Sequence, residues 1–502
     1  MLRKLQKGKK ARPSKKGQKR ISAFEKKKKK SCEMMGRKTT IETMGREKSQ
    51  ASRLLDGVRA DATVAPMRQK ELEIPSFRNS CQGARFQLKT YMMRLLVFVT
   101  WAGLGSLWAA PPALPPPSLK VSGTHIVNGQ GNPIALRGVN FGGWLVEEIW
   151  MMPVEGVPPA GSSFSKVIDH ASLWETFRQR FGQEGVLQIR KAWRDCWITR
   201  EDFVRVKELG LNCVRLPFLH DSLDAPDGLF PRIDQAVTWA RETGVYLILD
   251  LHGTPGRQSG QHHTGKSDED QLFKDSKKVT ECELVWKKVA SRYGNAPEVA
   301  AFDLMNEPMG APNESTLYLV YDRLLRAVRE VAAAKPVIIA DGYKGIAGMP
   351  YPEVAGWKQV IFSQHHYNFG AKQVRDHWGP VENLITKIGY ARSRRNVPFF
   401  VGELNIEPHS SQEMMTRVLD ALDEKEISWT VWSYKVAMRG QGGMWGLYRG
   451  KKDLPVLSPF TDSISEIVKK IQAYKTENFE ASAMKPALQQ TRLYQKSIKP
   501  TH

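Results

Sequence analysis

Val299-Ala300-Ala301-Phe302-Asp303-Leu304-Met305-Asn306-Glu307-Pro308 is the stretch that decides the fold. The run is apolar without helical spacing, which predicts a strand buried on both faces of a parallel sheet. Pro308 offers no ladder donor, so the strand has to stop at Asn306-Glu307. A second run, Val397-Pro398-Phe399-Phe400-Val401-Gly402-Glu403-Leu404, also delivers one carboxylate at its end. Either alone is an ordinary strand ending. Together they place two carboxylates on the face where parallel barrels assemble their chemistry.

Outward from these runs, further apolar stretches predict strands over 138–142, 213–216, 245–252, 336–341, 360–367 and 429–435. Amphipathic patterns over 201–209, 233–243, 317–334 and 414–424 predict helices between them. Eight such alternations predict a closed (β/α)8 barrel in preference to an open sheet. Residues 121–137 alternate around Asn128-Gly129, as an N-terminal β-hairpin does. The loop after the first strand exceeds the roughly 2–6 residues usual for such connections. It carries Trp144, Trp150, Trp174, Trp193 and Trp197 and is expected to pack as a partly helical layer over the rim.

The net charge of +23 invites a nucleic-acid reading, but +18 of it lies in residues 1–90. The remainder carries about +5, ordinary for a soluble domain. Residues 1–91, with Lys26 to Lys30 unbroken, read as a basic disordered extension outside the natively translated chain or, failing that, as a tail for anionic partners. Residues 92–114 open on Met92-Met93-Arg94 and continue as an apolar run, the pattern of a secretory signal or of an uncleaved membrane anchor. Export to the medium, the periplasm or the cell envelope is the expectation. The barrel domain is expected over 115–475, with a polar, fraying tail over 476–502. Cys196, Cys213 and Cys282 allow at most one disulfide in the barrel, and Cys213 reads as a small core residue.

Strand ends collect polar residues. Arg215 lies in the second strand and His252 ends the third. Asn306 and Glu307 close the fourth, His365, His366 and Tyr367 the sixth, Glu403 the seventh, and Trp432 and Tyr434 lie along the eighth. Two glutamates facing one pocket are what glycoside hydrolysis requires. A metallohydrolase would draw on His252, His262, His263, His365 and His366, but the first strand lacks a His-x-His and no carboxylate bridging pattern accompanies them. No Gly-x-Gly-x-x-Gly follows a strand. Neither metal nor cofactor is expected. A non-catalytic sugar-binding protein on this scaffold would be expected to lack one of the two glutamates.

From about Val121 to Lys475 the chain resembles glycoside hydrolase family 5, the cellulase-type retaining (β/α)8 enzymes. Asn306-Glu307-Pro308 matches that family's acid/base motif and Gly402-Glu403 its nucleophile strand; Arg215, His252, His365, Tyr367 and Trp432 match further family positions in order. The resemblance implies that Glu403 is the nucleophile, ionised through Arg215 and Tyr367. It implies that Glu307 is the acid/base, kept protonated by the charge of Glu403. Asn306 would hold the sugar 2-hydroxyl, His252 and His365 would bind or orient neighbours, and Trp432 would stack on the sugar.

The loop from Gly142-Gly143-Trp144 and the segment Asp250 to Gly260 resemble the exo-β-1,3-glucanase branch more than the endo-β-1,4-glucanases, which stay as the alternative. Ser259 stands where that branch usually has Asn, and the glycine-rich loop with Trp445 resembles neither. The implied partner is a β-glucan or oligosaccharide, with no nucleic acid for the barrel and membrane contact through residues 92–114 alone.

Overall fold

Eight parallel strands close into a barrel in the computed structural model, which describes residues 115–223, 228–437 and 443–498. The expected extension and apolar N-terminal segment lie outside the described residues. Around the barrel the strands are β3 (Arg137–Asn140), β4 (Cys213–Leu219), β5 (Tyr246–Gly253), β6 (Val299–Asp303), β7 (Val337–Ala340), β8 (Val360–His366), β9 (Phe399–Leu404) and β10 (Ser428–Val431). β10 returns to β3 through Trp429↔Arg137 and Val431↔Val139, which shuts the cylinder. Before them, β1 (Lys120–Ser122) and β2 (His125–Val127) form an antiparallel hairpin.

The helices are α1 (His170–Cys196), α2 (Arg200–Glu208), α3 (Leu229–Thr243), α4 (Ser276–Tyr293), α5 (Glu314–Arg329), α6 (Pro352–Ala355), α7 (Trp378–Arg395) and α8 (Gln412–Glu424). Their starts follow from local chemistry. Asn313 and Ser411 each accept from a backbone N–H of the first turn, and Asp169 forms a capping box with Ser172.

Strand alternation sorts the core. Val214, Leu216, Leu247, Leu249 and Phe302 face outward into the layer beneath the helices. Cys213, Tyr246, Ile248, Ile338, Ile361 and Phe400 face inward at the N-terminal end, where Leu119, Ile126 and Leu136 plug the barrel from below. Each fully buried side chain of this kind contributes about 1.5–3 kcal/mol. Cys196, Cys213 and Cys282 are buried free thiols.

Four expectations change. The hairpin turns at Gly123, not at Asn128-Gly129; the latter makes a second turn leading to a bridge between Val127 and Pro133. The stretch ending at Glu307 leaves the sheet after Asp303, because Asn306 and Glu307 must turn into the mouth of the barrel. The stretch 429–435 divides: Lys435 belongs to β11 (Lys435–Val436), which joins a three-stranded sheet with β12 (Tyr448–Gly450) and β13 (Phe479–Ala481).

That sheet also corrects the fraying tail. After α9 (Ile464–Gln472), residues 476–498 stay folded through β13, α10 (Met484–Gln490) and α11 (Arg492–Ile498). Phe479, Met484, Ala487 and Leu488 are buried, and Lys435 Nζ donates to Tyr474 O at 2.8 Å and Thr476 Oγ1 at 3.1 Å. The apolar residues of this segment are few, yet they fall on one face. No helix among the described residues is long and apolar enough to cross a membrane.

The segment between β3 and α2 is dominated by α1, bent at Gly182, where φ is 64°. Trp144, Trp193 and Trp197 are buried, and their indole N–H groups donate to Arg194 O, Gly143 O and Gly142 O. These bonds tie the helix to the backbone that leaves β3.

Candidate active site

Arg215 stands at the centre of the barrel mouth, fully buried. It points inward from β4, two residues beyond Cys213 of the apolar plug. Its Nε donates to Asp303 at 2.9 Å, Nη1 to Asn140 at 3.0 Å and Glu403 at 2.9 Å, and Nη2 to Asn306 at 2.9 Å. Asp250 lies 3.0 Å from Nη2. One permanent cation thus gathers three carboxylates and two amides.

Glu403 ends β9 with both oxygens engaged. Oε1 accepts from Arg215, and Oε2 accepts from Tyr367 Oη at 2.6 Å. Burial and the nearby Glu307 push its pKa above the ordinary carboxylate value, while His365 and Arg215 pull it back. Both neighbours donate, so the geometry suits the carboxylate form.

Glu307 follows β6 at φ 38°, a left-handed conformation disfavoured for a side-chain-bearing residue. Its Oε1 accepts from Tyr343 Oη at 2.6 Å and His365 Nδ1 at 2.8 Å. Its Oε2 has His263 Nε2 at 3.3 Å. Burial raises its pKa, but the His365 bond, the nearby histidine charge and the Tyr343 hydroxyl outweigh burial and hold it well below the usual range. The net direction is the reverse of the elevation expected from the charge of Glu403. The His365 pKa is raised: burial lowers it, but Glu403 and the bond to Glu307 prevail. His365 Nδ1 is also 3.4 Å from Glu403 Oε2. Glu307 and its neighbours therefore titrate as a coupled set.

One atom each from Glu307, His365 and Glu403 lies within 4.8 Å of the others. Arg215 and Tyr367 donate to Glu403, and Tyr343 and His365 to Glu307, so the set is held by protein donors. The two carboxylates therefore face one another closely, as retaining glycosidases require.

Asn306 carries Arg215 on its oxygen and has His252 Nε2 and His263 Nδ1 each 3.3 Å from its nitrogen. His252 Nδ1 bonds Asp250 at 2.6 Å. Trp432, just past β10, stacks on the His252 ring at 5.6 Å with 10° between planes, and its remaining surface lines the cavity. All eight residues expected at the site are therefore brought together. Tyr434 and His366 are not: Tyr434 bonds Asp202 on the outer side of the barrel, and His366 faces His377.

The cavity, about 580 Å³, also contains residues without a sequence signal of their own. Glu148 is buried on its floor, accepting from Trp150 Nε1 at 2.8 Å, with His262 Nε2 at 3.3 Å. Burial raises the Glu148 pKa, but His262 and its neighbours bring the net value below the ordinary one. Trp150 meets Trp445 edge to face at 5.4 Å, and Phe369 stacks on both Tyr367 and Trp445, which also meet each other at 6.1 Å. Asp250 and Asp303 were legible in principle, since each interrupts an apolar strand at an inward position. Tyr343 and His263 sit on loops with no periodic pattern.

A family model described as cellulase (glycosyl hydrolase family 5) matches residues 175–437. A probable glucan 1,3-beta-glucosidase A of Neosartorya fischeri is 30% identical over 241 residues, 46% of this chain and 55% of that protein. A glucan 1,3-beta-glucosidase of Candida oleophila is 33% identical over 254 residues, 46% of this chain and 58% of that protein. A beta-xylosidase of Phanerodontia chrysosporium is 25% identical over 384 residues, 69% of this chain and 76% of its own length. The chain thus spans little more than half the length of the curated glucosidases it matches.

Proposed function

Because the chain belongs to glycosyl hydrolase family 5, we propose that it cleaves the β-glucosidic bonds of β-glucans with retention of configuration. The observation that carries this reading is the close carboxylate pair, one oriented by Arg215 and Tyr367 and the other by His365 and Tyr343. Glu403 attacks the anomeric carbon while Glu307 gives a proton to the leaving oxygen. Once Glu403 is esterified its charge is gone, and Glu307 accepts a proton from the incoming water. In this reading Asn306 and Glu148 hold sugar hydroxyls, and Trp432, one face of which lies on His252, stacks on the sugar.

A β-1,3-linked glucan is the substrate suggested by the names of the relatives. The contact between Trp150 and Trp445 narrows one end of the cavity and favours attack from a chain terminus. Linear β-1,3-oligosaccharides should release chiefly glucose from the first minutes, initially as the β-anomer by proton NMR. A rapid fall in polymer viscosity with little glucose would favour the endo alternative, and an α-anomer would end the retaining mechanism. The catalytic unit is taken as residues 115–498. Export guided by residues 92–114 is part of the proposal; N-terminal mass spectrometry of the native protein tests it, and peptides from the Lys26 to Lys30 region would refute the exclusion of residues 1–91.

A further inference from the structure

Arg215 determines how Asn306 is turned. A guanidinium only donates, so the Asn306 atom 2.9 Å from Nη2 is Oδ1. The amide nitrogen then faces His252 Nε2 and His263 Nδ1, each at 3.3 Å, with one hydrogen for each ring. His263 Nδ1 accepts, so the proton of the neutral ring is on Nε2. Burial pushes the His263 pKa down to about 4, which keeps the ring neutral near pH 7.

That Nε2 is shut off from solvent, makes no hydrogen bond, and lies 3.3 Å from Glu307 Oε2. The other oxygen, Oε1, already accepts from Tyr343 and His365. With Tyr343 and His365 Nδ1 donating to Oε1, the free position for a proton on Glu307 is Oε2, and the N–H 3.3 Å away offers that proton no acceptor on the protein side.

We propose that His263 is a positioning residue for the acid/base: its Nε2–H, oriented through Asn306, supports Oε2 as a carboxylate oxygen and directs the acid proton toward the scissile oxygen. This rests on the reading of Glu307 as the acid/base. In the first step the Oε2 proton passes to the leaving oxygen as the glycosidic bond breaks and Glu403 bonds the anomeric carbon. The carboxylate so formed gains the Nε2–H. In the second step water attacks the anomeric carbon, the bond to Glu403 breaks, and the water proton returns to Oε2. The charged and titratable groups around Glu307 are His365 from β8, Tyr343 after β7, His263 after β5 and Glu403 on β9, with Asp341 and His262 farther out.

The test compares His263→Phe and His263→Gln in the full chain. Two pH profiles are read: kcat/KM on an alkyl β-glucoside, which needs the acid, and kcat on 2,4-dinitrophenyl β-glucoside, which reports the base step. Loss of a donor favours the protonated form of Glu307. In the Phe variant the alkaline limb of the first profile and the acidic limb of the second should therefore both move up by roughly one pH unit. The Gln variant, which restores an N–H, should return both toward wild type. His263→Ala supplies the same reading where the Phe variant does not fold. Unmoved limbs, or Phe and Gln variants that behave alike, overturn the inference. A wild-type protein that hydrolyses neither substrate overturns the functional reading, and this inference with it.

Discussion

The two ends of the barrel interior are built on the same strands and differ only in what points inward. At the N-terminal end Cys213, Ile248, Ala301 and Ile361 meet in a dry layer. Two residues further along the same strands stand Arg215, Asp250, Asp303 and Ser363, and two beyond Ser363 stands His365. Two residues is one strand period, so every substitution in this series keeps its place in the cylinder. The apolar layer is stable through burial alone. The polar layer is held by Arg215, which reaches Asp250, Asp303 and Glu403, and it retains a residual cost: Asp303 Oδ1 and Ser363 Oγ are buried without a hydrogen-bond partner, and burial, with Asp250 adding and Arg215 opposing, pushes the Asp303 pKa up to about 6. The barrel backbone is indifferent to its filling, so one end can hold the fold together while the other carries unstable chemistry.

The comparison breaks first if the polar end is dispensable. Glu403→Gln should lower kcat by on the order of 10⁴-fold or more while leaving the circular dichroism spectrum unchanged. Near-normal turnover would remove Glu403 from the mechanism. Arg215→Met leaves three carboxylates without their shared cation. Chemical denaturation should show a loss of about 3–5 kcal/mol, and kcat should fall roughly 10²–10³-fold.

Titration sharpens the contrast. In the wild type the acidic limb of kcat/KM should lie above the ordinary carboxylate value, since Glu403 is raised. The alkaline limb should lie above the ordinary histidine value, since Glu307 titrates coupled to His365, whose pKa is raised. Tyr343→Phe removes a donor from Oε1, weakens the carboxylate form of Glu307 and makes the proton harder to lose. Its alkaline limb should move up by about one pH unit; a downward move would contradict the hydrogen-bond direction. Ile338→Ala, in the dry layer, should show the smallest effect on chemistry. Stability should drop by about 2–5 kcal/mol, with kcat/KM within about twofold and both limbs in place. A shifted pH profile in that variant would mean that the two ends are coupled through packing.

Strand identity, barrel closure and the two glutamates were legible in the chain because they depend on local pattern: continuous apolar runs without helical spacing, interrupted at their ends by Pro308 or by a carboxylate. The positions of Arg215, His252 and Tyr367 followed from the same strands. What the sequence could not supply was how loops distant in the chain meet over the mouth of the barrel. Tyr343 and His263 come from separate connections and converge on one carboxylate, and Trp150 finds Trp445 across almost three hundred residues. The protonation of the pair also escaped it. Charge alone argued that Glu403 would raise the Glu307 pKa, whereas the donors that surround Glu307 pull it down and His365 is raised beside it. Strand periodicity is a property of neighbouring residues and survives in one dimension. Proton affinity is set by the few atoms within hydrogen-bonding reach, and those are chosen only when the chain has folded.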